Sequence, residues 1–194
     1  SRVELNTATT LRVSRGSDHR TVWLDKGEAY FDIKHNAANP FTVFASGHRI
    51  SDLGTKFSVR SDANRLKVAL VEGLARIDNA NGASKASSAI LSPGEVAVAT
   101  ATSLKVVKKP EQELRDQLGW RRGMLVFVHA TLADVAAEFN RYNETKIVIA
   151  DPAVAERRIG ATFPSQDLED FAVLARTSLR LHVEQRDGNI IISR

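Results

Sequence analysis

The sequence predicts a mixed fold: an N-terminal all-β domain of short antiparallel strands, as a sandwich or twisted roll, followed by a small α+β domain. Three observations carry this. Apolar and polar residues alternate with a period of two through residues 1–109. Beyond residue 119 the apolar period changes to 3.6. Between these stretches, Pro110 and Gly119 bracket a short helical segment in which Leu114 and Leu118 share one face. The expected organisation is therefore 1–109 for the β domain, 110–119 for a connector and 120–194 for the α+β domain.

The clearest alternation runs from Leu53 to Ile77. Thr55, Phe57 and Val59 point one way and Lys56, Ser58 and Arg60 the other. Ser61-Asp62-Ala63-Asn64 supplies a polar turn, after which Leu66, Val68 and Leu70 resume the pattern as a hairpin. Glu72-Gly73 is expected to reverse the chain again and give a third strand. Upstream, Val3 and Leu5 alternate with Arg2 and Glu4, and Leu11 and Val13 follow. Val22 and Leu24 lead to a predicted turn at Asp25-Lys26-Gly27, after which Ala29, Phe31 and Ile33 form another strand. Phe41, Val43 and Ala45 begin a further strand after Asn39-Pro40. The Ala/Ser/Asn/Gly stretch from Asp78 to Ser88 has too little apolar content to pack and reads as a mobile loop. Ser92-Pro93-Gly94 turns into a strand at Val96–Val98, and Leu104 to Val107 is the last. A loose echo at Leu24–Ile33, Val71–Ile77 and Leu91–Val98 is too irregular for a repeat protein.

In the second half, Met124 to Val128 reads as a strand. Thr131 and Asp134 can cap a helix whose residues Leu132, Val135, Ala136 and Phe139 form one apolar stripe ending near Asn143. Ile147–Ile149 is a buried-type strand, Asp151-Pro152 breaks the chain, and Ile159 to Phe163 is a strand. Asp167 opens a second helix with Leu168, Phe171 and Leu174 on one side. Leu179 to Val183 and Ile190 to Ile192 close as a hairpin around Arg186-Asp187-Gly188-Asn189. The order is β-α-β, then β-α-β-β.

Composition narrows the function. The chain has 194 residues, 43% hydrophobic, so a packed core is within reach. No run approaches the roughly 18 apolar residues of a membrane span, and no basic-then-apolar signal sequence opens it, so a soluble fragment is expected. Without cysteine it has no disulfide or thiolate site. Residues 1–118 hold 17 Lys+Arg against 13 Asp+Glu, and the remainder ten against ten. The basic runs are pairs only, Lys108-Lys109, Arg121-Arg122 and Arg157-Arg158, which argues against nucleic acid. His19, His35, His48, His129 and His182 are dispersed, with no two at metal-ligand helical spacing. No nucleophile elbow, Walker loop or dinucleotide fingerprint is present. No catalytic residue, cofactor or metal is expected.

Several segments together resemble the FecR family of iron-transport regulators. They are the run from Val22 to Ile33 containing GEAYFDI, Pro40-Phe41-x-Val43, Leu53-Gly54-Thr55-x-Phe57-x-Val59 and Val71-Glu72-Gly73. Leu91-x-x-Gly94-Glu95, Trp120-x-x-Gly123-x-Leu125-x-Phe127 and Leu132 to Tyr142, ending in FNRY, continue the series in order. The resemblance implies the periplasmic part of a single-pass inner-membrane protein whose membrane helix and cytoplasmic anti-sigma segment lie outside this sequence. It implies an extracytoplasmic-function sigma factor as the partner of that segment. It further implies that the α+β domain is similar to the secretin-and-TonB N-terminal (STN) type. The periplasmic partner would be the signalling domain of a TonB-dependent outer-membrane transporter, relaying siderophore availability.

Short sheets leave strand edges that can accept a partner strand. The expected docking surface lies on the α+β domain, with Arg121, Arg122, Leu125, Phe127, Ile159 and Thr162 as candidate contacts. The alternative is that the β domain is a periplasmic ligand-binding module for a glycan or small anion and the α+β domain is structural. That reading calls for a concave, aromatic-lined patch, whereas aromatics make up 6% of the chain.

Overall fold

The structure is a computed structural model and describes residues 1–14, 20–36, 38–52, 54–63, 65–80 and 88–194. The chain divides into two compact units, Ser1–Leu114 and Arg115–Arg194. About half of the chain is strand, which is the mixed architecture expected.

The described residues of the first unit form eleven strands: β1 (Arg2–Leu5), β2 (Thr10–Val13), β3 (Thr21–Asp32), β4 (Thr42–Ala45), β5 (His48–Asp52), β6 (Lys56–Asp62), β7 (Arg65–Glu72), β8 (Ala75–Asn79), β9 (Ser88–Leu91), β10 (Glu95–Ala99) and β11 (Leu104–Lys108). They hydrogen-bond in the order β11-β10-β7-β6-β3-β4-β5-β8-β9, with β1 and β2 also on β3. Inward residues from both halves of this path, among them Val22, Phe31, Val43, Ile50, Phe57, Val68, Ile77 and Leu91, make one hydrophobic core. The sheet has therefore rolled over on itself, so that its two inner faces bury each other.

β3 is the strand on which the roll turns. The predicted turn at Asp25-Lys26-Gly27 is instead an interior bend of this twelve-residue strand. Residues 21–23 pair with β4 in parallel, and residues 27–32 pair with β6 antiparallel. Gly27, at φ +91°, makes the bend, and a Cβ there would stand 2.6 Å from Thr9 Cα. A turn signal inside a long strand marks a corner here, because both flanks find partners in different parts of the sheet.

Two further expectations are corrected. Glu72-Gly73 does not fold the chain back onto β7. β8 pairs with β5 and β9, so the segment crosses to the other half of the roll. Leu5 is 52% exposed and does not reach the core, although its neighbour Val3 packs against it. The sequence reading also missed β5, whose signal is the two-residue turn Ser46-Gly47, both at positive φ, between paired Ala45 and His48. Of the stretch read as a mobile loop, Asp78, Asn79 and Ser88 belong to strands, and 81–87 lie outside the described residues. Leu53, Asn64 and His19 also lie outside them.

α1 (Glu111–Gln117) follows, with Leu114 packed with Ala69 and Val96. The second unit begins within α1 and continues through a 3-10 turn, Gly119–Arg122. Its elements are β12 (Met124–Thr131), α2 (Leu132–Tyr142), β13 (Ile147–Ile149), α3 (Pro152–Ala155), β14 (Arg158–Pro164), α4 (Leu168–Thr177), β15 (His182–Arg186) and β16 (Asn189–Ser193). The order matches the expected βαβ-βαββ, with α3 added where Asp151-Pro152 was read only as a break. Asp151 accepts from the Ala153 N–H at 2.8 Å, and Pro152 stands at the first helical position, where no donor is needed.

The strands form two sheets, an antiparallel pair β12-β14 and a mixed three-stranded sheet β13-β16-β15. α2 and α4 lay their stripes on a single core of Leu125, Leu132, Val135, Phe139, Phe163, Phe171 and Ile192, among others. Thr131 Oγ1 accepts from Asp134 N–H at 3.1 Å and donates to its carboxylate at 2.7 Å. Thr131→Ala should therefore destabilise this unit by about 1 kcal/mol, read as a shift in the urea midpoint at constant slope. Thr131→Ser should restore most of the loss.

Candidate functional site

The β12-β14 pair, like the β13-β16-β15 sheet, has two backbone edges to offer among the described residues, and it is the one that carries the residues expected at a docking surface. Each strand hydrogen-bonds only to the other among the described residues. Its two faces differ in chemistry. Leu125, Ile159 and Phe163 are buried, and Phe127 packs with them on the core side. In the register Met124 opposes Pro164 and Val126 opposes Thr162, on the other face. Thr162, Gly160 and Pro164 are exposed. That outer face carries no charge between Met124 and Val128 on one strand or between Gly160 and Pro164 on the other.

The six residues expected at a docking surface separate accordingly. Leu125, Phe127 and Ile159 belong to the core, and their side chains hold the pair in place from beneath. Thr162 lies on the open face. Arg121 and Arg122 are exposed at the end of the 3-10 turn, where Gly123 at φ +71° passes the chain into β12.

The residues missed by sequence reasoning are Val128 and His129. The register of β12 slips between Phe127 and Ala130, so these two form a bulge. His129 has φ +54°, Val128 is 64% exposed, and Arg158 Nη1 donates to the His129 carbonyl at 2.8 Å. The signal was present in the sequence. Leu125 and Phe127 set a phase that would bring His129 inward, and the next inward residue is instead Ala130.

The first unit carries an aromatic row across its outer face. Arg12, Trp23, Phe44, Arg49 and Asp78 are successive cross-strand partners on β2, β3, β4, β5 and β8. Trp23 and Phe44 stack at 5.9 Å and 15°, and the Arg12 guanidinium lies 5.5 Å from the Trp23 ring. Arg12 also binds Asp25 through two hydrogen bonds, at 2.7 and 2.8 Å, and holds its carboxyl below the usual carboxylate range. At the other end, Arg49 and Arg76 both donate to Asp78. The flat faces of Trp23 are thus taken by its neighbours, so the row stabilises the sheet without presenting an open stacking platform. This weighs against the aromatic-lined patch of the ligand-binding alternative.

His48 is buried, its Nδ1–H donating to the Ser46 carbonyl at 2.8 Å, while His35, His129 and His182 are exposed. Among the described residues no three His, Asp or Glu side chains converge as a metal site, and no helix is long and apolar enough to cross a membrane.

Residues 1–76 match the sequence model of the FecR protein family. The FecR match spans β1 to β7 and enters β8, which includes both the bent strand β3 and the crossing at Gly73. Over the whole chain, the fold is similar to two crystal structures of a candidate anti-sigma factor from Parabacteroides distasonis ATCC 8503. One, at 1.65 Å resolution, is 20% identical with a TM-score of 0.79, covering 98% of this chain and 88% of that one. The other, at 2.50 Å, is 21% identical with a TM-score of 0.79, covering 99% and 89%. A comparison with curated proteins gives no match. At these identities the likeness speaks for the fold alone, and the FecR match covers less than half of the chain.

Proposed function

We propose that this chain is the periplasmic signalling region of a single-pass inner-membrane sigma-factor regulator. In this reading it binds the N-terminal signalling domain of a TonB-dependent outer-membrane transporter. It relays iron-siderophore availability to an extracytoplasmic-function sigma factor through a cytoplasmic segment outside this sequence. The supporting observation is the FecR match on residues 1–76, on a chain whose whole fold follows that of a candidate anti-sigma factor. No chemistry is asked of the chain; its task is to hold a partner.

The docking surface in this reading is the open edge and uncharged outer face of β12-β14. An incoming strand would take the unpaired N–H and C=O groups of the edge, as in strand addition. Val128, pushed outward by the bulge, would supply an apolar contact, with Thr162 beside the strand and Arg121 and Arg122 steering one end. Leu125, Phe127 and Ile159 contribute by fixing the strands from below. A specific contact of this kind buries about 1,600 Å² in total.

The test is calorimetric titration of the chain with an isolated transporter signalling domain. Val128→Asp should weaken binding by tenfold or more, about 1.4 kcal/mol, because a carboxylate would lose its water at the contact. Reversing both arginines to Glu should slow association and flatten its salt dependence. Affinity unaltered by all three changes would place the contact elsewhere, and no binding by the native chain would remove the reading.

A further inference from the structure

We infer that the outer face of β6, β7 and β11 carries an oxyanion site centred on Lys67, with Arg65 and Lys105 beside it. The residues come together through register. Glu28, Arg60, Lys67, Val98 and Lys105 are successive cross-strand partners on β3, β6, β7, β10 and β11. Arg65 stands two residues before Lys67 and so on the same face.

Several cations elsewhere on this unit are matched. Arg12, Arg49, Lys56 and Arg76 each meet a carboxylate within 3.2 Å. Around Lys67 the balance differs. The side chains of Arg65, Lys67 and Lys105 make no hydrogen bond or ion pair to another described residue. The nearby carboxylates are committed. Glu28, 7% exposed, accepts from Asn6 Nδ2 at 2.9 Å and lies 4.0 Å from Arg60. Asp62 accepts from Arg60 at 3.0 Å, and Glu113 pairs with Lys109 at 2.9 Å.

Lys67 is also the partly buried member of the three. Burial pushes its ammonium below the usual lysine range; Glu28 pulls it back, and Arg60, Arg65 and Lys109 push it further down. An ammonium withdrawn from water without an acceptor is unfavourable to the fold. An oxyanion at this point would supply the missing acceptor and gain charge-assisted hydrogen bonds from a half-desolvated donor. The ligand chemistry is that of a sulfate, a phosphate or a carboxylate, either free or as the acidic side chain of a polypeptide. This site lies on the β unit and rests on no statement about the transporter.

The experiment titrates the full chain with sodium sulfate and, separately, with a hexa-glutamate peptide, at constant ionic strength. It compares the native protein with Lys67→Met, Lys105→Met and, as a remote control, Lys34→Met. Binding of either probe should weaken at least fivefold in Lys67→Met, less in Lys105→Met, and stay unchanged in Lys34→Met. Response to the peptide alone assigns the oxyanion to a polypeptide, and response to sulfate alone to a free anion. Lys67→Met should also raise the thermal midpoint in the absence of either probe, which shows that the variant is folded. Binding of neither probe, or equal binding by all variants, overturns the site. The exposed position of Lys105 keeps one informative variant in hand if Lys67→Met fails to fold.

Discussion

Gly73→Ala is expected to lower the stability of the β unit by about 3–5 kcal/mol, whereas Gly47→Ala costs about 1 kcal/mol. Both glycines have positive φ, +87° and +72°, so the conformational cost of a Cβ is shared. The surroundings differ. A Cβ on Gly47 meets nothing within 4 Å, but on Gly73 it would overlap the Gly54 carbonyl oxygen and stand 2.8 Å from Thr55 Cγ2. A backbone carbonyl cannot swing aside as a side-chain tip does, so the crossing from β7 to β8 would have to open. The larger loss is a sizeable share of the roughly 5–15 kcal/mol that holds a domain together. Urea melts of the two variants decide the matter, and equal midpoints would show that the crossing is loosely packed.

Phe139→Ala should have a comparable effect on the second unit, about 3–5 kcal/mol. Phe139 is fully buried and is the hub of a ring cluster, with centroids 5.4 Å from Phe171, 5.5 Å from Phe163 and 6.1 Å from Phe127. Those partners come from α4, β14 and β12, so one side chain joins a helix to both strands of the proposed docking sheet. A unit of residues 115–194 has little core to spare, and this deletion would leave it marginal. Hydrogen exchange should quicken throughout β12 and β14, and affinity for the signalling domain should fall in step. Protection of those amides that survives Phe139→Ala would mean the cluster is not what holds the sheet. Phe127→Ala, at a partly exposed position, should cost less.

The second unit was the more legible of the two. Its helices announce themselves through local signals that act within a few residues: the Thr131 cap, the stripe from Leu132 to Phe139, and Asp167 accepting from the Asp170 N–H. The β unit was legible strand by strand and not in its pairing. Glu72-Gly73 looks the same whether the chain folds back or crosses over, because a glycine turn reports a change of direction and not the destination. The docking residues divided for a similar reason. Alternation orders the residues within each strand, but only the register, with Leu125 opposite Phe163, shows that Leu125 and Thr162 face opposite ways, and burial then shows which face is covered. The bulge at Val128–His129 shows along the chain only as a phase slip between Phe127 and Ala130, and pairing with β14 fixes where the extra residue sits.

By itself the sequence determined the change from a two-residue to a 3.6-residue period near position 119, the side of each element that seeks the core, and the FecR resemblance. Those are properties of neighbours along the chain, where covalent geometry alone decides who points where. Tertiary structure decided that β3 bends and does not turn, that β8 leaves β7 for β5, and that Lys67 has no acceptor among the described residues. Each of these depends on which distant strand lies alongside, a choice made by the burial of both inner faces at once and written in no single stretch of the chain.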